Sequence, residues 1–222
     1  GVYMCSNAYR SFIIPIITVL FFIKIKPKLC CLAMFLILFS LAELLSITEM
    51  IPFVSKNVPY AVIYYVVNGL YALAYLVLLM EIVKTLNFWH IVKNFFIHLL
   101  VLGVLDSDLV YVLYNIISPF LVNFGEKFIE LVYTSAILLV LSASLINFLY
   151  RDSRKSLYIF LGSLSIVFSE VIQIAYLYIS SKVLLDVFYS TLLVIAFGLF
   201  YNQAKFGEEE ESNILSGNEI FK

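Results

Sequence analysis

Two acidic side chains lie inside sequence that otherwise reads as lipid-spanning. Residues 165–176 are SIVFSEVIQIAY, with Glu170 inside a hydrophobic run from about Tyr158 to Tyr178; residues 36–47 are LILFSLAELLSI, with Glu43 in a similar setting. A charge at the centre of a membrane helix costs about 3–17 kcal/mol depending on the reference state, so it is rare without a partner or a task. Two carboxylates facing one cavity can divide labour. One, protonated, serves as general acid, while the other, ionised, activates water as general base. That chemistry suits cleavage of a bond whose leaving oxygen must be protonated. The same pair could instead bind a proton or a cation during transport, and residue types alone leave both readings open.

Other site chemistries find little support. Cys5, Cys30 and Cys31 are an odd set without CxxC spacing, and His90 and His98 have no Cys or carboxylate at ligand spacing, so neither a disulfide framework nor a metal site is expected. No cofactor is implied. The net charge of −1 and the short, scattered basic clusters argue against nucleic acid as a partner. The oligomeric state is not legible.

The elements that must position the acids are membrane helices. The 222 residues are 63% hydrophobic and 13% charged, and their mean hydropathy is +1.03, far from the roughly half-apolar norm of soluble domains. Apolar runs long enough for a hydrocarbon core of about 30 Å recur along nearly the whole chain. The first of these, Ser11 to Ile23, leads into the lysine-rich KIKPK rather than into a cleavage site for a signal peptide. The expectation is an all-α polytopic transmembrane bundle, a single domain over residues 1–202, with an acidic, disordered tail over 203–222 containing EEEE at 208–211.

Spans are expected at about 11–24, 29–48, 59–83, 128–150, 157–180 and 185–202, joined by KIKPK (24–28), SKNVP (55–59), RDSRKS (151–156) and SSK (180–182). Region 88–122, interrupted by Asp106 and Asp108, holds either one span with an interfacial segment or two spans. Cytoplasmic connections should carry most of the Lys and Arg. With seven spans, ten lie on one side (Lys24, Lys26, Lys28, Lys84, Lys93, Arg151, Arg154, Lys155, Lys205, Lys222) and four on the other (Arg10, Lys56, Lys127, Lys182). Eight spans give seven against seven. Seven spans with a cytoplasmic C-terminus is therefore the expected topology, an integral multi-pass protein.

Orientation gives depth. Glu43 follows Lys28, and Glu170 follows Lys155, by the same interval, so each carboxylate should lie roughly 22 Å from the cytoplasmic boundary. Tyr64, Tyr133 and Tyr189, entering from the other side, reach a similar level, with Asn68 and Gln173 within about a turn. On a helical projection Ser163, Ser165, Ser169, Glu170, Gln173, Tyr176 and Ser180 share one arc, which must turn away from lipid. Tyr60, Tyr64, Asn68, Tyr71 and Tyr75 form a second inward stripe, and Ser40, Glu43 and Ser46 a third. The expected acid/base pair is Glu43 and Glu170, with Ser40, Tyr64, Asn68, Tyr133, Ser169, Gln173 and Tyr189 lining the pocket. Single serines in such helices commonly just permit close packing, and tyrosines near span ends form interfacial belts. Glu81 and Glu130, at span ends, are expected to be solvated.

The order of these segments resembles the YhhN family of lysoplasmalogenase-like membrane proteins. Members typically carry Lys-Pro near the start of one span, then S-L-L-G-D, a Tyr in a V-x-x-Y-M-like stretch, G-A-x-x-F-x-x-S-D, and a Tyr in the last helix. Here the corresponding stretches are FIIP with Pro15, FSLAE (39–43), ELVYT (130–134), GSLSIVFSE (162–170) and FYS (188–190), covering about residues 10 to 202. The resemblance implies eight spans in a full-length member, the first preceding the region matched here. It also implies hydrolysis of the vinyl-ether bond of lysoplasmalogens, with a membrane lysolipid as substrate and the two acidic motif positions, Glu43 and Glu170, as acid and base. This chain departs from the pattern: both acids are Glu rather than Asp, Ala42 replaces a Gly, Ile14 replaces the Lys, and the His of the third span is absent, with Tyr71 and Tyr75 nearby.

Overall fold

A segment in lipid must bond its own backbone N–H and C=O groups, and apolar stretches of this length do so as helices. The structure, a computed structural model, describes the backbone of residues 2–24, 30–48, 59–84 and 86–219, and side chains within these except at 2–10, 30, 60, 88 and 207–219. All of KIKPK but Lys24, most of SKNVP, and the side chains of Arg10, Tyr60 and the acidic run at 208–211 thus lie outside the described residues. The described backbone is almost entirely helical: α1 (Val2–Lys24), α2 (Cys30–Thr48), α3 (Tyr60–Lys84), α4 (Phe88–Asn94), α5 (Phe96–Ile117), α6 (Phe124–Arg151), α7 (Arg154–Ile174) with a π turn (Ala175–Ile179), and α8 (Val183–Glu219). Six of these helices are long and apolar enough to cross a membrane, and α1 contains a shorter apolar stretch, Ser11–Lys24. The chain is an all-α, multi-pass membrane bundle.

Region 88–122 resolves into the short α4 and one long helix, α5. Asp106 does not break α5 because it turns toward α6 and accepts a hydrogen bond from Ser142 Oγ at 2.7 Å. The last span extends beyond the expected end at 202: Gln203 and Ala204 are buried, Phe206 stacks on Tyr158 with ring centroids 5.4 Å apart, and the backbone stays helical to Glu219.

Neighbour relations close into a ring. α2 packs on α1 and α3, α3 on α6, α6 on α7, α7 on α8, and α8 returns to α1. α5 stands outside the ring against α6. The tight α6–α7 connection explains one antiparallel pair. Asp152 ends α6 in the left-handed conformation, φ 44°, and Ser153 starts α7 with a capping box, its Oγ accepting from Ser156 N at 3.2 Å while Ser156 Oγ accepts from Ser153 N. α7 and α8 approach closely at Gly162, where a Cβ would lie 2.8 Å from Cε1 of the buried Phe200 ring.

Inside the ring, the half nearer Lys24, Lys84 and Arg151 is filled by rings. Phe35 and Phe39 of α2, Tyr75 of α3, and Phe197 and Phe200 of α8 are all essentially inaccessible. Phe39 lies 4.9 Å from Phe197 and 4.9 Å from Tyr71, centroid to centroid. This aromatic plug forms the floor beneath the polar half of the bundle.

Candidate functional site

Above the plug lies a cavity of about 230 Å³ bounded by α2, α3, α6 and α7 with its π turn. Its walls are Glu43 and Ser46 from α2; Tyr64, Val67, Asn68 and Tyr71 from α3; Glu130 and Tyr133 from α6; and Glu170, Gln173, Ile174, Leu177 and Tyr178 from the last. The π turn matters locally. Its widened winding closes with Ser180 N donating to Ala175 O at 2.9 Å, and it carries Leu177 and Tyr178, both wall residues. Single π turns inside α-helices concentrate at functional positions.

The two acids singled out from sequence both line this cavity, and each is bonded by tyrosine hydroxyls. Glu43 is 1% exposed. It accepts from Tyr71 OH at 2.9 Å and from Ser11 Oγ of α1 at 3.0 Å, so both carboxylate oxygens are engaged. Glu170, half-buried, lies 3.5 Å from the donating Tyr75 OH, and Tyr133 is within side-chain hydrogen-bonding reach of both Tyr75 and Glu170. Tyr71 and Tyr75 are one turn apart on α3, so that helix bridges the carboxylates of α2 and α7.

A third carboxylate joins them. Glu130, expected to be solvated, is instead 9% exposed and lines the cavity, accepting from Tyr64 OH at 3.1 Å. Its signal was in the sequence: Glu130 precedes Tyr133 by three residues, hence shares its face, and Tyr133 was already assigned inward. Asn68 Nδ2 donates to its own helix at Tyr64 O, 2.9 Å, leaving its carbonyl oxygen available toward the cavity wall it forms.

Tyr64, Asn68, Tyr133 and Gln173 thus line the pocket as expected, and Tyr189, Ser40 and Ser169 do not. Tyr189 is 2% exposed, its ring 5.9 Å from that of Tyr176, and its carbonyl accepts from Ser169 Oγ at 2.7 Å. Ser40 pairs with Thr18 Oγ1 at 2.7 Å between α1 and α2. These groups hold helices together. α8 packs on α7 and contributes no residue to the wall. Ser163 and Ser165 likewise bond back to Ile159 O and Leu161 O of their own helix.

Among the described residues no group of three or more His, Cys, Asp or Glu could hold a metal ion. Among the described residues the lining contains three carboxylates, tyrosine hydroxyls and two amides. It can bind or relay protons and hold positive charge, and it can position water between two carboxylates. Compared with known proteins, the chain gives no significant match to a family model, a curated protein or a solved structure.

Proposed function

We propose that the protein is a membrane-embedded acid/base hydrolase of the lysoplasmalogenase kind, cleaving the vinyl-ether bond of a single-chain ether lipid in this cavity. One observation carries the reading: Glu43 and Glu170, from different helices, line one cavity, the first bonded by Tyr71 and the second by Tyr75 and Tyr133. The resemblance of FSLAE and GSLSIVFSE to the YhhN motifs supports the substrate class.

In the reaction, a carboxyl group protonates the outer vinyl carbon and the second carboxylate takes a proton from water as it adds to the ether carbon. The resulting hemiacetal collapses, its glycerol oxygen leaving with a proton, to give a fatty aldehyde and the glycerol-based alcohol. The net change is addition of one water. A volume of about 230 Å³ is below the range of pockets that enclose whole drug-sized ligands, so the cavity takes the reacting ether and its glycerol end while the hydrocarbon chain stays in the bilayer. Glu130, nearer the open end with Tyr64, adds negative charge that favours a cationic head group. On the positive-inside rule, this reading has the open end outside and the C-terminus in the cytoplasm.

The test is aldehyde release from lysoplasmalogen by purified protein, with Glu43→Gln and Glu170→Gln each expected to reduce the rate about 100-fold or more. A wild-type protein that releases none contradicts the hydrolase reading.

The three carboxylates among the described lining residues favour one second reading: a proton- or cation-coupled transporter of small solutes. It is distinguished by pH-gradient-driven uptake into liposomes without product formation. Lipid that copurifies and survives intact would instead mark a family-like lipid binder without catalysis.

A further inference from the structure

α5 differs from every other long helix of the bundle. Only 6% of its apolar span is buried inside the molecule, against 33% to 50% for the other five. Its two acids face opposite ways. Asp106 is turned inward onto Ser142, whereas Asp108, two residues on and about 160° round the helix, is exposed. The span runs Phe96–Phe120, so Asp108 sits near the bilayer midplane, where an ionisable side chain facing lipid is costly.

Asp108 is not alone on that face. Tyr111 is 67% exposed, Asn115 is also exposed, and the 108, 111, 115 spacing puts all three on one stripe. None makes a side-chain hydrogen bond to another described residue. Beside the stripe, Gly103 and Ser107 are exposed, and nothing lies within 4 Å of where a Gly103 Cβ would be. Small residues spaced by four let membrane helices approach closely.

We propose that this outward face of α5 is the interface of a homodimer, built around Asp108 and Tyr111. The stripe is self-complementary. Asp108 supplies an acceptor, Tyr111 and Asn115 supply donors, and a two-fold axis along the membrane normal sets two parallel copies of α5 at equal depth. Tyr111 of one copy then lies about 4.5 Å along the axis from Asp108 of the other, within reach of its long side chain. The two Asn115 amides meet each other, and the two Asp108 side chains, set at one level by the same axis, meet as a carboxyl and a carboxylate sharing one proton. A foreign helix offering one basic residue would answer Asp108 and leave Tyr111 and Asn115 facing hydrocarbon. The interface is independent of what the cavity does.

Two measurements test it on the full chain in lipid vesicles. Step-wise photobleaching of singly labelled wild-type protein at high dilution in lipid is expected to show two steps per particle. Asp108→Leu with Asn115→Leu is expected to weaken the dimer about tenfold, the scale of an interhelical hydrogen bond in lipid. Separately, with Cys5, Cys30 and Cys31 replaced by Ser, oxidation of Tyr111→Cys is expected to give a dimer. Phe168→Cys, on an exposed position of α7, is expected to give none. Single-step bleaching of the wild type overturns the proposal. So do a dimer unaffected by the paired substitution, equal cross-linking at position 168, and a Tyr111→Cys product joined only to a different polypeptide.

Discussion

Glu43 shows how a membrane bundle surrounds a buried acid with hydroxyl donors. Burial of a carboxylate is tolerable when hydrogen-bond donors replace water, and Tyr71 and Ser11 supply one donor to each of its oxygens. Tyr71→Phe removes one donor and leaves its acceptor buried. The expected cost is about 1–3 kcal/mol, read as a lower Tm in detergent, with Tyr71→His less damaging because a ring nitrogen can donate again. Glu130→Gln tests the third carboxylate. If it only attracts the head group, KM rises with kcat nearly unchanged, because uniform binding has been removed; an equal fall in kcat and kcat/KM would instead put Glu130 in the chemistry. At this scale sequence was informative about which residues are anomalous and poor at saying what satisfies them. Tyr75 and Tyr71 were legible as an inward stripe, but their pairing with different glutamates depends on where α2 and α7 stand, which a single helix does not encode.

The helices explain why depth was legible and rotation was not. Counting from the last basic residue set Glu43 and Glu170 at one level, and both are wall residues of one cavity. Direction around the axis requires a polar side to the helix. α3 and α7 have one, and the assignments of Tyr64, Asn68, Glu170 and Gln173 hold. α8 carries Asp186, Ser190 and Thr191 beside Tyr189, but a polar face alone does not say whether it meets α7 or the cavity, and Asp186 is buried without lining the cavity. Packing between α7 and α8 rests on Gly162, and Gly162→Val would push a branched side chain against the ring of Phe200, which is fully buried. Overpacking of this kind costs about 1–3 kcal/mol, measurable as faster thermal inactivation. At the start of α7, Ser153→Ala removes the cap on Ser156 N and is expected to cost about 1 kcal/mol. Larger losses there would mean that the α6–α7 turn has a role beyond capping.

At the scale of the molecule, six helices among the described residues form a ring with an aromatic plug in one half and a carboxylate-lined cavity in the other. On the proposed orientation the cavity is approached from the side opposite Lys24, Lys84 and Arg151. A cysteine at Asn68 is therefore expected to react with a membrane-impermeant thiol reagent added outside sealed cells, in the cysteine-free background, while one at Phe39 in the plug stays unlabelled. Labelling at position 68 only from the cytoplasmic face would invert the orientation. The span layout was readable because apolar run length maps directly onto bilayer thickness. Ring closure by α1 and α8, and the exclusion of α5, were not, because lipid is as apolar as a neighbouring helix and hydrophobicity does not distinguish the two. The most direct measurement of the central claim is the release of fatty aldehyde from a lysoplasmalogen by the purified protein. Release by the wild type, reduced about 100-fold or more by either Glu43→Gln or Glu170→Gln, is the expected result; no aldehyde from the wild type, or undiminished release from both variants, would contradict it.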